Sequence, residues 1–105
     1  MLRIYQVILE FVGELQGVVG RIERRDRDLA RQLRRCSSSI ALNVAEGMYS
    51  RGQNRQVRYH TALGSARETL ACLELAEHCR WLAAPDQALR AQLAHIIGTL
   101  VKLVA

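Results

Sequence analysis

DRDLARQLRRCSSSIALNVAEG, residues 26–47, is the stretch on which the fold turns. Leu29, Leu33, Cys36, Ile40 and Val44 return at steps of four and three, which gathers them on one side of an α-helix. Arg24, Arg27, Arg31, Arg34 and Arg35 fall almost opposite. Between these faces runs a polar strip of Ser39, Asn43 and Glu46, at i, i+4 and i+7. Asp26 or Asp28 is placed to cap this helix by accepting from its otherwise unpaired first N–H groups. The apolar pattern breaks at residues 50–52, where the helix is expected to end.

Upstream, Ile4, Val7, Ile8, Phe11, Val12, Leu15, Val18, Val19 and Ile22 form one stripe of a helix over residues 2–22. Gly13, Gly17 and Gly20 each weaken that helix by up to about 1 kcal/mol relative to Ala. Close approach of a neighbouring helix is the expected compensation. Downstream, Asn54 is a candidate cap for a third helix, on which Tyr59, Leu63, Ala66, Leu70 and Leu73 repeat like a coiled-coil seam. That helix fades at residues 79–82, leaving Trp81 as a plug at the bundle end or a subunit contact. Pro85 suits the first helical position of a fourth segment, because its missing N–H would be unpaired there anyway. Leu89, Leu93, Ile96, Ile97, Leu100, Val101 and Val104 make the last stripe.

Four helices joined by short turns predict an all-α, antiparallel up-down-up-down four-helix bundle. With 105 residues, it is a single domain, 1–105. Leu9, Leu103 and Val104 extend the apolar surface beyond one stripe, which suggests a subunit interface. No run approaches the roughly 18 apolar residues of a membrane span, and no signal-peptide layout opens the chain. Cys36, Cys72 and Cys79 form no CxxC pair and lie among helical apolar residues, where a reduced Cys acts as a small hydrophobe. A reducing cytoplasm is the simplest compartment.

The formal net charge is +5, and fourteen of the fifteen basic residues are Arg, with Lys102 the lone lysine. Residues 21–58 hold ten Arg against Glu23, Asp26, Asp28 and Glu46, a local +6, while the rest of the chain is near neutral. Guanidinium groups match carboxylates and phosphates. Arg27, Arg31, Arg34, Arg35, Arg51, Arg55 and Arg58 are therefore the candidate contacts for RNA or DNA, or for an acidic protein.

Ser39, Asn43 and Glu46 border a core and need partners, since an unpaired buried polar group costs about 1–3 kcal/mol. Ser65 and Glu68 on the third helix can supply them, beside Gly64, as a network that locks helix pairing. A catalytic reading would need Glu46 and Glu68 as paired carboxylates, yet no nucleophile–base pair or metal set accompanies them. Di-metal bundles use Glu-x-x-His, whereas here Ala71, Tyr49 and Arg80 stand three residues after Glu68, Glu46 and Glu77. Glu74 and His78 are an isolated pair, and His60 and His95 lack ligand spacing. The expectation is a protein that binds and assembles, with no catalysis, metal or cofactor.

The run from Arg34 to Gly47 closely resembles the bacterial four-helix-bundle proteins encoded in intervening sequences of 23S ribosomal RNA genes. That family reads as arginines, then S-I-x-x-N-I-A-E-G, then a basic turn, with a later G-S-x-x-E-L-like element. Ser39, Ile40, Asn43, Ala45, Glu46 and Gly47 match the first element, with Val44 in place of Ile, and Arg51 stands in the basic turn. Gly64, Ser65 and Glu68 match the second, with Thr69 before Leu70, and Tyr59 supplies the aromatic that precedes it. The family is similar to the accessory variability proteins of diversity-generating retroelements, which pair with a reverse transcriptase and RNA. The resemblance implies a homopentameric ring of bundles with a basic surface. A reverse transcriptase or other acidic protein is then an alternative partner to nucleic acid.

Overall fold

The computed structural model describes residues 2–84 and 86–105. Its elements are α1 (Arg3–Glu23), α2 (Arg27–Met48), α3 (Gly52–His78) and α4 (Gln87–Val104), with no strand among the described residues. Each helix packs on its chain neighbour, and α1 also packs on α4, closing a four-helix bundle. Cross-helix contacts run in opposite directions along consecutive helices. Leu2 at the start of α1 donates its N–H to Met48 Sδ at the end of α2. Ser65 reaches back to Ser39, and Gln56 near the start of α3 reaches the Leu103 carbonyl near the end of α4.

The apolar stripes meet along the bundle axis. Ile8, Phe11, Leu15 and Ile22 of α1, Leu33, Ile40 and Val44 of α2, and Leu93, Ile96 and Leu100 of α4 are fully buried. Each such side chain contributes about 1.5–3 kcal/mol of transfer free energy. The buried face of α3 mixes Tyr59, Leu63 and Leu73 with the small Ala62, Ala66, Cys72 and Ala76 and the wholly buried Thr69. Small side chains there let α2 and α3 lie close together, and these two helices share the most extensive contact in the bundle.

Asp26 is the cap of α2, accepting from the Leu29 N–H at 2.9 Å, while Asp28 lies in the first helical turn. Asp86 caps α4 in the same way. Pro85, expected to open that helix, lies outside the described residues. The start of α3 differs from the sequence expectation. Its N-cap is Arg51, not Asn54, and Gly52 adopts φ +58°, a left-handed conformation that favours glycine. Arg55 Nε donates to the Gly47 and Ser50 carbonyls, so the first turn of α3 is tied to the end of α2 and the helix begins three residues earlier.

Beyond α3 the chain turns through Arg80, which takes φ 61°. Its N–H bonds the Glu77 carbonyl and the Trp81 N–H bonds the Ala76 carbonyl, the paired pattern of a Schellman cap with Arg80 in the position usually given to Gly. Trp81 is half-buried against the core. The compensation expected for Gly13, Gly17 and Gly20 is not found within the chain, where nothing lies within 4 Å of a β-carbon added at any of them. These positions sit on the side of α1 away from its buried stripe.

Candidate functional site

The polar strip of α2 meets α3 along one seam. Ser65 Oγ donates to Ser39 Oγ at 2.8 Å, and Asn43 Nδ2 donates to both the hydroxyl and the carbonyl of Ser39 at 3.0 and 2.9 Å. All three side chains are half-buried. One turn along, the Thr69 hydroxyl lies 2.8 Å from the Ser65 carbonyl and 3.3 Å from Cys36 Sγ. It has one proton to share between them.

The two carboxylates assigned to this network stand apart from it. Glu46 is exposed and pairs with Arg58 at 3.0 Å, while Glu68 accepts from Gln32 Nε2 at 3.2 Å. Their helical positions place them at the edge of the seam, where long side chains reach across to partners in solvent. Gly64 also departs from expectation, since it is exposed with open space at its β-carbon position. The close approach occurs instead at Gly47, against the ring of buried Tyr59.

The candidate arginines divide into engaged and unengaged groups. Arg34 pairs with Glu23 and Arg58 with Glu46, and Arg55 is spent on backbone carbonyls. Arg27, Arg31, Arg35 and Arg51 are exposed and form no ion pair among the described residues. Arg31 and Arg35 border an open groove of about 440 Å³ between α2 and α3, with Asp28, Gln32, Cys36, Ser39, Ser65 and Glu68. Such a trough, with free guanidiniums on one wall and hydroxyls within, offers donors to an anionic group. Among the described residues, no group of three or more His, Cys, Asp or Glu side chains is arranged to hold a metal ion, and no helix is long and apolar enough to cross a membrane.

Cys36 and Cys72 are both buried. The influence of the Cys72 thiol holds the Cys36 thiol down at about 7 despite burial that pushes it up, with Thr69 adding a smaller effect in the same direction. The influence of Cys36, together with burial, pushes the Cys72 thiol up beyond the usual thiol range.

A family model described as 23S rRNA-intervening sequence protein matches residues 1–102. The chain belongs to this family. A similar solved structure is a protein of unknown function from the S23 ribosomal protein family of Bacteroides thetaiotaomicron. It is 18% identical, with a TM-score of 0.86 over 96% of this chain and 97% of that one, and so shares the fold. No curated protein matches the chain.

The residues that carry the family resemblance of this 23S rRNA-intervening sequence protein fall mostly on the α2–α3 seam. Ile40 and Val44 fill the core, the Ser39 hydroxyl accepts from both Asn43 and Ser65, and Gly47 makes room for Tyr59. Sequence reasoning missed three members of the seam. Ser37 is fully buried and donates to the Leu33 carbonyl at 2.7 Å, Thr69 is fully buried and reaches Cys36 across 33 residues of sequence, and Cys72 is buried one turn further along α3. A buried hydroxyl that bonds back one turn leaves no signal in apolar periodicity.

Proposed function

We propose that this protein is a non-enzymatic, homo-oligomeric scaffold whose Arg-rich face binds RNA or DNA through phosphate contacts. The observation that carries the reading is the outer side of α2, where Arg27, Arg31 and Arg35 stand exposed, without ion pairs among the described residues, and two of them border a polar groove. Free guanidiniums in a row suit a line of phosphates, and such contacts release counterions with little sequence preference. In a closed ring, pentameric as the resemblance implies, each face would be repeated about the axis, adding avidity.

Fluorescence anisotropy with a labelled structured RNA tests the binding. Affinity is expected to fall at least about 10-fold between roughly 50 and 200 mM salt, and to collapse when Arg31 and Arg35 are both changed to Glu. Binding that ignores salt, or that survives the double charge reversal, refutes it. Light scattering tests the assembly, and a clean monomer at micromolar concentration would refute the ring.

A second reading draws on the same face further along α2. Leu42 and Tyr49 are 67% and 88% exposed and lie seven and fourteen residues beyond Arg35, hence on the same side of the helix. An apolar patch continuing a basic one suits a protein surface, such as a neighbouring subunit, a reverse transcriptase or another acidic partner. Pull-downs before and after nuclease treatment separate the readings, because a direct protein partner persists when nucleic acid is destroyed.

A further inference from the structure

We infer that the groove between α2 and α3 selects RNA over DNA, with Arg31 and Arg35 holding backbone phosphates while Glu68 accepts from a ribose 2′-hydroxyl. This choice of ligand rests on the nucleic-acid reading of the same face. Four charged side chains line the groove, Asp28, Arg31 and Arg35 from α2 and Glu68 from α3. None of them forms an ion pair among the described residues. Elsewhere on α2, a charged side chain within reach of its opposite does pair, as Arg34 does with Glu23 and Glu46 with Arg58. The groove thus presents open charges of both signs to whatever enters it.

Its two walls offer different halves of a hydrogen bond. On the α2 side the two guanidiniums donate, and they suit phosphate oxygens. Ser39 adds a third donor there. Its oxygen accepts from Asn43 and Ser65, and its own proton has no acceptor among the described residues. On the α3 side Glu68 can only accept. Its Oε2 takes Gln32 Nε2 at 3.2 Å, a neutral donor that orients the carboxylate without cancelling its charge, and Oε1 has no partner among the described residues. The Gln32 bond crosses from α2 to α3, so one ligand unit can touch both walls. The volume, about 440 Å³, is in the range of small-ligand sites.

A DNA backbone supplies acceptors alone. Seated on Arg31 and Arg35, it turns a phosphate or sugar oxygen toward Glu68 and strips water from the carboxylate with no donor to replace it. RNA carries a hydroxyl on the sugar carbon next to the one that bears its 3′-phosphate. A phosphate held on the α2 wall therefore brings a donor beside it, and that donor reaches Glu68 across the groove. The 2′-hydroxyl is the group by which a protein tells RNA from DNA. Glu68, which would only repel a DNA strand, becomes the element of choice between the two.

Fluorescence anisotropy on the full chain, with one single-stranded sequence made as RNA, as DNA and as 2′-fluoro RNA, tests the choice. Fluorine keeps the sugar pucker of RNA but cannot donate. RNA should bind at least about 10-fold tighter than either other probe, the weight of one hydrogen bond to a charged acceptor. In Glu68→Ala that preference should shrink to about 2-fold or less. Glu74→Ala makes the same charge change on the exposed surface of α3 outside the groove, and should keep it. Equal binding of all three probes overturns the selectivity and leaves phosphate binding standing. RNA and 2′-fluoro RNA binding alike, both above DNA, overturns it too, because shape is then what is read. A preference that survives Glu68→Ala overturns the role of Glu68. No binding by any probe refutes the nucleic-acid reading and the selectivity with it. Should Glu68→Ala fail to fold, the three probes on the natural chain decide alone.

Discussion

Tyr59 presses its ring against the backbone of Gly47, so that a β-carbon at residue 47 would lie 2.8 Å from the ring's Cδ1 and closer still to Cε1. Tyr59 is buried, and the ring is hemmed in by the end of α2 and the start of α3. Gly47→Ala should therefore destabilise the fold by about 1–3 kcal/mol, although Ala is the better helix former. Urea unfolding measures this, and Tyr59→Leu in the same background should recover part of the loss. An Ala variant as stable as the natural chain would mean that the ring moves aside freely.

The two kinds of polar pair across α2 and α3 should differ in weight. Ser39→Ala or Ser65→Ala strips a half-buried hydroxyl of its partner and should cost about 1 kcal/mol, with the double variant costing less than the sum. Glu46→Gln removes a charge from a pair whose side chains are roughly half exposed, and should change stability by less than about 1 kcal/mol. Comparing the denaturant midpoints of these variants checks the ranking directly.

Arg80 occupies a left-handed conformation at φ 61°, which costs a residue with a β-carbon about 1 kcal/mol. Arg80→Gly should raise stability by up to that amount, because its side chain makes no hydrogen bond or ion pair among the described residues. A raised thermal midpoint with unchanged helicity is the expected outcome.

The thiol pair gives stability a pH dependence of definite sign. Cys36 falls from an ordinary 9.0 to about 7 on folding, so its contribution is present above about 9 and is lost as pH drops through 7. Cys72 shifts upward, so its contribution is present below the ordinary thiol value and fades above it. Reduced Cys79→Ser protein should accordingly gain unfolding free energy between about pH 7 and 9, and adding Cys36→Ser should flatten that rise. Urea titrations across this range provide the measurement.

The bundle was legible because its core is periodic. Ile8, Phe11, Leu33, Ile40, Leu93 and Leu100 all stand where steps of three and four place them, and all are buried. Asp26 was legible as a cap because capping is local. What depends on the distance between helices was not. A single-helix wheel groups Glu46 with Ser39 and Asn43, but its partner is Arg58, whose reach follows from where α3 begins. That beginning was misplaced, because Gly52 and the Arg55 bonds to the end of α2 act across a turn. Gly64 looked like the residue of close approach, and Gly47 is. Cys36 and Thr69 have no characteristic spacing, so their meeting belongs to packing alone.

Ser39 with Ser65, Cys36 with Thr69, and Gly47 with Tyr59 fasten α2 to α3 at three levels. A seam of leucines can slide by one turn, about 5.4 Å, and still bury apolar surface. This one cannot, since the same slip would bring Tyr59 to the level of Asn43 and strand the hydroxyls of Ser65 and Thr69. The pair acts as a ruler with engraved marks. Arg31, Arg35, Leu42 and Tyr49 are consequently held at set heights along a rigid two-helix edge, and a partner that spans both helices meets a pattern of fixed pitch.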